Sequence, residues 1–202
     1  MIDQSMRVLK HQLLRSFTKG VARFVGPMPI TLLALAVGLA TAWAAALGAT
    51  VAALALWFLN RIIDGLDGEV ARFRGESSDL GGYVDMMGDV VIYAAIPLAL
   101  AFAHGEPRVT AAILIMISSF YINVTSWSYL SALLEKRHAE SGSRFTSIAM
   151  PSGLIEGTET IVVYALLIAA PGIVVQTALV AAAAGLISAA QRMIWAVRAL
   201  KD

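Results

Sequence analysis

Eight residues in the middle of the chain follow the pattern D-x-x-D-G-x-x-A-R-x8-G-x3-D-x3-D. They are Asp64, Asp67, Gly68, Ala71, Arg72, Gly81, Asp85 and Asp89. In a chain of average composition this pattern would match by chance on the order of 10^-10 times per starting point. Carboxylate oxygens are the ligands that Mg²⁺ and Mn²⁺ prefer, whereas thiolate or imidazole would indicate zinc. The four aspartates therefore predict a site for one or two hard cations, of the kind that serves phosphoryl transfer.

Helical spacing predicts that the acidic residues lie on two facing surfaces. With a step of 100° per residue, the pattern residues within 64–72 fall in an arc of about 140° on one helix. Arg61 shares that arc one turn earlier. On the next helix Gly81, Asp85 and Asp89 stand four residues apart and share one face. We expect two antiparallel helices that bring the four carboxylates to a similar depth.

The small residues and the arginine of the pattern indicate what the site binds. Gly68, Ala71 and Gly81 remove side-chain bulk from the facing surfaces, so a nucleotide and its pyrophosphate can approach the backbone. Arg72, at the mouth of the same segment, can donate charge-assisted hydrogen bonds to a phosphate. The pattern therefore predicts a nucleotide-diphosphate site beside the cation site.

The composition is that of a helical membrane protein. Hydrophobic residues make up 58% of the 202 residues and charged residues only 14%, and the mean hydropathy is +0.75. Soluble domains have about half apolar and about a quarter charged residues. The chain has no cysteine, which excludes disulfides, thiolate metal sites and thiol nucleophiles. Carboxylates at membrane depth cost a few kcal/mol each unless they are compensated, which supports a functional role for the pattern.

Hydropathy predicts six transmembrane helices. They span 28–48, 50–72, 79–104, 109–132, 148–170 and 172–197. Apolar residues repeat at three- and four-residue steps over 6–25, with basic residues on the other faces, which predicts an amphipathic helix in the membrane interface. The alternative for that segment is a disordered basic tail. Of the 15 lysines and arginines, all but Arg61 and Arg108 fall on one side, so both termini and the acidic site are predicted to face the cytoplasm.

The segment DGLDGEVARFRGESSDLGGYVDMMGD resembles the signature of the CDP-alcohol phosphotransferase family, also called CDP-alcohol phosphatidyltransferases, which are integral membrane enzymes of phospholipid synthesis. Together with the hydropathy, the resemblance predicts one all-α polytopic membrane domain over 1–202, in which hydropathy and periodicity give an interfacial helix at 1–26 and a six-helix core at 28–197. It also implies transfer of a phosphatidyl group from CDP-diacylglycerol to a small alcohol acceptor, with release of CMP. The expected setting is the inner (cytoplasmic) membrane, as a homodimer and without a nucleic-acid partner.

The same resemblance implies a role for each residue of the pattern. Mg²⁺ or Mn²⁺ would be held by Asp64, Asp67, Asp85 and Asp89. Asp89 would also be the general base that acts on the acceptor hydroxyl. The CDP part of the lipid would be bound by Asp64, Gly68, Ala71, Arg72 and Gly81.

Two acceptor classes remain open from the sequence. The candidate acceptor-binding residues are Lys136, Arg137, Arg144, Glu156, Glu159 and Arg192. The basic residues would bind a phosphorylated polyol such as glycerol 3-phosphate, which is the leading prediction. The two glutamates share a helical face and would suit serine or another amino alcohol. A structural pairing of these glutamates with Arg61 or Arg192 is the alternative to a role in binding.

The acidic pattern has two other interpretations. A purely structural network of carboxylates and arginine would not require the glycines or the fixed interval between the two halves of the pattern. An ion- or proton-coupled transporter would also place acids at membrane depth. Transporters commonly carry internal repeats with broken helices in corresponding positions, and the second half of this chain has no copy of the acidic pattern.

Overall fold

The structure is a computed structural model that describes residues 18–141, 153–155 and 157–200. Six long helices follow one another in these ranges: α1 (Pro27–Ala46), α2 (Thr50–Arg74), α3 (Asp79–His104), α4 (Pro107–Ser141), α5 (Gly157–Ala169) and α6 (Val174–Ala199). A 3-10 turn, Pro171–Ile173, connects α5 to α6. The predicted all-α fold is confirmed. The interfacial helix predicted at 1–26 lies largely outside the described residues, which include only its end from Thr18 onward.

The helices have the lengths and composition of a polytopic membrane protein, as predicted. Within the described ranges, the four helices α1, α3, α4 and α6 are long and apolar enough to cross a bilayer. The helix α2 has 25 residues, and its second half carries the charged residues of the pattern. The described part of α5 is an apolar helix of 13 residues. Six helices of the predicted core are therefore present, and α2 departs from the usual apolar span because it holds the acids.

The helix α1 packs against both helices that carry the acidic pattern. A Cβ atom at Gly38 would overlap Cδ1 of Ile92 on α3 and would lie 3.1 Å from Nδ2 of Asn60 on α2. The same Asn60 amide donates a hydrogen bond of 2.7 Å to the carbonyl of Ala34 on α1. The glycine at position 38 leaves room for the side chains of Ile92 and Asn60, which pack against the backbone of α1 there.

The helices α4 and α6 form the other closely packed pair of the bundle. Ala181, Gly185 and Ala189 are buried along one side of α6. A Cβ atom at Gly185 would lie 3.1 Å from Oγ of Ser119 and 3.3 Å from Cδ1 of Phe120, both on α4. Small residues let two membrane helices approach closely, and here this stripe serves packing within the chain.

Aromatic side chains fix the position of α5 in the bundle. The indole of Trp57 on α2 donates a hydrogen bond of 3.2 Å to the carbonyl of Ile161. The hydroxyl of Tyr164 donates one of 2.5 Å to the carbonyl of Tyr93 on α3. The rings of Trp57 and Tyr164 stack with centroids 5.3 Å apart. Because α5 is attached in this way to both acid-bearing helices, its first turn has a defined position relative to them.

A short turn joins the two halves of the acidic pattern. The helix α2 ends at Gly75, whose φ of 67° is the left-handed conformation typical of a helix C-terminus. Ser78 caps α3 by accepting a hydrogen bond of 3.1 Å from the backbone N–H of Gly81. The Arg74 guanidinium donates a hydrogen bond of 2.7 Å to the carbonyl of Ala22, which holds the segment before α1 against this end of the bundle.

Candidate active site

A cavity of about 210 Å³ opens where α2 ends and α3 begins. Its walls contain six residues of the acidic pattern: Asp67, Gly68, Ala71, Arg72, Gly81 and Asp85. The remaining walls come from the start of α1, with Pro27, Met28 and Thr31, and from the turn, with Glu76, Ser77 and Ser78, together with Gly82. The structure therefore places six of the eight pattern residues on one concave surface, while Asp64 and Asp89 are not among its lining residues.

Asp67 is held by two hydrogen bonds. The hydroxyl of Thr31 on α1 donates one of 2.6 Å to Oδ2, and the backbone N–H of Gly68 donates one of 2.5 Å to Oδ1. Asp67 is only 4% exposed, so these donors offset the cost of burying its charge. Thr31 was not identified from the sequence, because a threonine in an apolar helix 36 residues away carries no local signal.

Asp64 and Asp89 share one cation, the guanidinium of Arg61. Nη2 of Arg61 donates a hydrogen bond of 2.8 Å to Oδ1 of Asp89, and Nη1 lies 3.6 Å from Oδ2 of Asp64. The arginine thus joins α2 to α3. Since an isolated charge at this depth is costly, the ion pairs compensate all three groups together. The sequence placed Arg61 on the acidic face of α2 and offered it as an alternative partner for Glu156 and Glu159.

Two further ion pairs lie at the end of α2. Nη2 of Arg72 donates a hydrogen bond of 2.6 Å to Oε1 of Glu69, while the Arg72 side chain remains 59% exposed. Nε of Arg74 donates one of 2.8 Å to Oε1 of Glu76. This hydrogen bond lowers the pKa of the Glu76 carboxyl, so Glu76 brings a negative charge to the cavity wall. Arg72, which also lines the cavity, is the basic group placed to meet an anionic ligand there.

The donor chemistry of the four aspartates fits a hard cation. Asp67 and Asp85 line the cavity, and Arg61 holds Asp64 and Asp89. Among the residues that the structure describes, no three His, Asp or Glu side chains form a group that could hold a metal ion. The sequence predicted four carboxylates that face one another. In the described arrangement Thr31 engages Asp67, and Arg61 engages Asp64 and Asp89.

The structure places the sequence-predicted acceptor residues around α4, α5 and α6. Arg192 is buried and donates a hydrogen bond from Nη1 to Oδ1 of Asn123. It lines a second cavity of about 290 Å³, between α4 and α6, together with Ser126 and Tyr129. Arg137 donates a hydrogen bond of 2.9 Å to the carbonyl of Leu200, so it connects the ends of α4 and α6.

Two other acceptor candidates, Lys136 and Glu159, also lie among the described residues. Lys136 is exposed near the end of α4. Glu159 lies half-buried in the first turn of α5. Arg144 and Glu156 lie outside the described residues. The predicted acceptor set is therefore divided between the cavity of Arg192 and the two helix ends.

Comparisons with known proteins agree with the sequence pattern. Residues 24–195 match a protein-family model described as CDP-alcohol phosphatidyltransferase. The chain is 34% identical over 163 residues to inner membrane protein YnjF of Escherichia coli (strain K12), covering 80% of this chain and 76% of that protein. It is 32% identical over 102 residues to CDP-diacylglycerol–serine O-phosphatidyltransferase of Saccharomyces cerevisiae, covering 48% of this chain and 36% of the yeast protein.

Crystal structures of Mycobacterium tuberculosis phosphatidylinositol phosphate synthase (PgsA1) have the same fold. The structure with CDP-DAG bound gives a TM-score of 0.69 at 23% identity, covering 91% of this chain and 92% of that chain. The PgsA1 complex with manganese and citrate gives a TM-score of 0.68 at 22% identity, covering 89% of this chain and 86% of that chain. At this level of identity the likeness establishes the arrangement of helices.

Proposed function

The chain belongs to the CDP-alcohol phosphatidyltransferase family, and on that premise we propose that it transfers a phosphatidyl group from CDP-diacylglycerol to an alcohol, with release of CMP. The observation that carries this proposal is the cavity at the turn between α2 and α3, which is lined by carboxylates, glycines and one exposed arginine. The PgsA1 structure with CDP-DAG bound supports the same donor.

The CDP part of the lipid would bind where the cavity has no side-chain bulk. A Cβ atom at Gly68 would lie 3.4 Å from Nη1 of Arg72, at contact distance, so the glycine leaves the space beside the guanidinium open. Arg72 would donate hydrogen bonds to a phosphate, since a guanidinium recognises phosphate oxygens in pairs. Gly81 on the facing helix and Ala71 leave room for the nucleotide, and Asp64 would complete the binding set.

The reaction requires one proton transfer and one displacement at phosphorus. Asp89 would take the proton of the acceptor hydroxyl, and the oxygen would attack the phosphorus on the lipid side of the pyrophosphate. The bond from that phosphorus to the bridging oxygen then breaks, and CMP leaves with the bonding electrons. Mg²⁺ or Mn²⁺, held by Asp64, Asp67, Asp85 and Asp89, would neutralise the phosphate oxygens and the leaving group when bound. The manganese complex of PgsA1 supports this choice of ion.

A phosphorylated polyol such as glycerol 3-phosphate is the first acceptor that we propose. Arg192 supports it, because a buried guanidinium beside Ser126 is a suitable partner for a phosphate. Lys136, Arg137 and Arg144 are the other basic candidates. Serine or another amino alcohol is the second candidate. Two observations favour it: the name of the yeast relative, and the acidic pair Glu156 and Glu159 near the start of α5.

The orientation in the membrane follows from the basic residues. We propose that both termini and the cavity face the cytoplasm, because all Lys and Arg except Arg61 and Arg108 fall in sequence segments predicted to lie on that side. The name of the Escherichia coli relative supports an inner-membrane location. A homodimer is also proposed, from the family alone. Ion transport receives no support from the family match or from the relatives.

Release of CMP tests the proposal directly. Purified protein in liposomes would be incubated with CDP-diacylglycerol, Mn²⁺ and, one at a time, glycerol 3-phosphate, inositol phosphate, serine and other alcohols. We expect release of CMP that depends on one acceptor and on the metal. The Asp85→Asn variant and a reaction without acceptor are the controls. Folded protein that consumes no CDP-lipid with any acceptor would refute the enzyme, and ion flux through the same liposomes would favour transport.

A further inference from the structure

Every nitrogen of the Arg61 guanidinium has a partner. Nε donates a hydrogen bond of 2.8 Å to Oδ1 of Asn60, and Nη1 donates one of 3.0 Å to the hydroxyl of Tyr93. Nη2 donates one of 2.8 Å to Oδ1 of Asp89, and Asp64 lies 3.6 Å from Nη1. An arginine contacted on so many sides has a fixed orientation.

Aromatic rings fix the plane of the Arg61 guanidinium, in addition to the hydrogen bonds that its nitrogens donate. Its central carbon lies 4.8 Å from the ring centroid of Trp57 and 5.4 Å from that of Tyr93. Cation–π contact with two rings favours one position of the plane. Asn60, which accepts from Nε, is itself fixed because its amide donates a hydrogen bond of 2.7 Å to the carbonyl of Ala34 on α1. Through these contacts, the position of Asp89 on α3 depends on the positions of α1 and α2.

Arg61, Asp64 and Asp89 differ in how deeply their side chains are buried. The Arg61 side chain is 8% exposed, whereas that of Asp64 is 24% exposed and that of Asp89 is 31% exposed. The guanidinium is therefore the most deeply buried of the three groups, and the two carboxylates are the more accessible ones. Because a substrate would meet the carboxylates first, Arg61 is placed to act through them.

We propose that Arg61 is a positioning residue of the transferase, a built-in countercharge that fixes Asp89 for its reaction with the acceptor hydroxyl. This inference rests on the proposed function. Arg61 engages Oδ1 of Asp89, which directs the second oxygen of the carboxylate away from the guanidinium. It also lies 3.6 Å from Asp64, so its positive charge reduces the mutual repulsion of the two acids.

A lysine could not reproduce this arrangement fully. The guanidinium contacts Asn60, Tyr93 and Asp89 at once because its donors form a planar fork. A lysine ammonium would keep the charge but lose the flat contact with the rings. The Arg61→Lys variant therefore separates the contribution of the charge from that of the geometry.

The test compares the variants Arg61→Gln, Arg61→Lys and Tyr93→Phe with the wild-type protein in liposomes. Arg108→Gln is the matched control, since Arg108 is exposed at the opposite end of the bundle. For each protein we would measure kcat and the KM for CDP-diacylglycerol by CMP release, the Kd for Mn²⁺ by calorimetry, and Tm. Calorimetry of Mn²⁺ binding needs no turnover, so it reports on the acids independently of catalysis.

We expect Arg61→Gln to lower kcat roughly 10- to 100-fold, the usual effect of removing a group that orients a functional side chain. The KM for CDP-diacylglycerol should change less than about threefold, because Arg61 does not line the cavity proposed for the CDP part and approaches the proposed binding set only at Asp64, 3.6 Å away. Mn²⁺ binding should not weaken, since no carboxylate is removed and a repelling charge is lost. Arg61→Lys should recover part of kcat, Tyr93→Phe should lose less than Arg61→Gln, and Arg108→Gln should match the wild type.

Two results would overturn the inference while leaving the proposed function intact. One is a folded Arg61→Gln protein with wild-type kcat. The other is a loss of Mn²⁺ affinity that parallels the loss of kcat, which would make Arg61 a support of the cation site and not of Asp89. If Arg61→Gln does not fold, the Arg61→Lys and Tyr93→Phe variants test the inference. A wild-type kcat in both of them would contradict it. A wild-type protein without CMP release refutes the proposed function instead.

Discussion

Thr31 of α1 donates a hydrogen bond of 2.6 Å to Asp67 of α2, and both side chains are buried. The helix α1 contains no residue of the acidic pattern, yet it orients one of the four aspartates and forms a wall of the cavity. The other oxygen of Asp67 accepts from the N–H of Gly68. One carboxylate of the proposed cation site thus depends on a contact between two helices.

Removing the Thr31 hydroxyl should therefore impair the site without changing its shape. Thr31→Val replaces the hydroxyl with a methyl group, and we expect roughly a tenfold loss of Mn²⁺ affinity or of kcat/KM. Thr31→Ser should retain most of both, since it keeps the donor. A Mn²⁺ titration of CMP release compares the two variants. Equal behaviour of valine and serine would show that the hydrogen bond has no functional role.

The four aspartates should divide into ligands and a base. Asp64→Asn and Asp85→Asn should weaken Mn²⁺ binding, because a hard cation loses affinity when the charge of a ligand is removed. Asp89→Asn should abolish turnover and largely retain the binding of Mn²⁺ and CDP-diacylglycerol. Calorimetry and CMP release on the three variants separate the roles. The same loss of Mn²⁺ affinity in all three would identify Asp89 mainly as a ligand.

Arg72 should contribute to binding of the CDP-lipid. Hydrogen bonds to charged groups contribute about 1.5–3 kcal/mol, so Arg72→Ala should raise the KM for CDP-diacylglycerol about 10- to 100-fold. Arg72→Lys should have an intermediate effect, since an ammonium lacks the paired donors. Glu69→Gln weakens the ion pair with Arg72, which competes with a bound phosphate for the guanidinium. This variant should therefore not raise the KM for CDP-diacylglycerol. An unchanged KM in Arg72→Ala would remove this residue from the proposed donor site.

The two acceptor classes predict opposite responses to a change of charge. For a phosphorylated polyol, Arg192→Ala should raise the KM for the acceptor and leave that for CDP-diacylglycerol nearly unchanged. For an amino alcohol, Glu159→Gln should raise the KM for the acceptor, and Arg192→Ala should have a smaller effect on it. CMP release over a range of acceptor concentrations distinguishes the cases. Activity that requires serine and ignores glycerol 3-phosphate would make the amino alcohol the correct acceptor.

The contact at Gly38 predicts an effect on stability. An added methyl group would overlap Ile92 on α3, and overpacking of a dense core costs roughly 1–3 kcal/mol. Gly38→Ala should therefore lower Tm and, because α1 also carries Thr31, reduce activity. Gly172→Ala is the control, since a Cβ atom there has no neighbour within 4 Å. Equal Tm values for both variants would show that the helices adjust without cost.

The sequence by itself was sufficient for the local part of the site. The spacing of the acidic pattern predicted one face on each of two consecutive helices, and the structure places six of its eight residues on one cavity. Hydropathy predicted the six helices in the observed order, and the bounds of α3 agree with the predicted range 79–104. These features could be predicted because helical periodicity and a short turn are local properties, which nearby residues determine.

The tertiary structure decided which groups hold the acids in place. Thr31 and Asp67 are 36 residues apart, and Arg61 and Asp89 are 28 apart, so no spacing rule relates them. Their contacts depend on how each helix is rotated and how closely α1 approaches, which Gly38 permits. Hydropathy does not specify that rotation, because bilayer and protein interior are both apolar. The partners of Asp67 and Asp89 on other helices therefore became visible only in the tertiary structure.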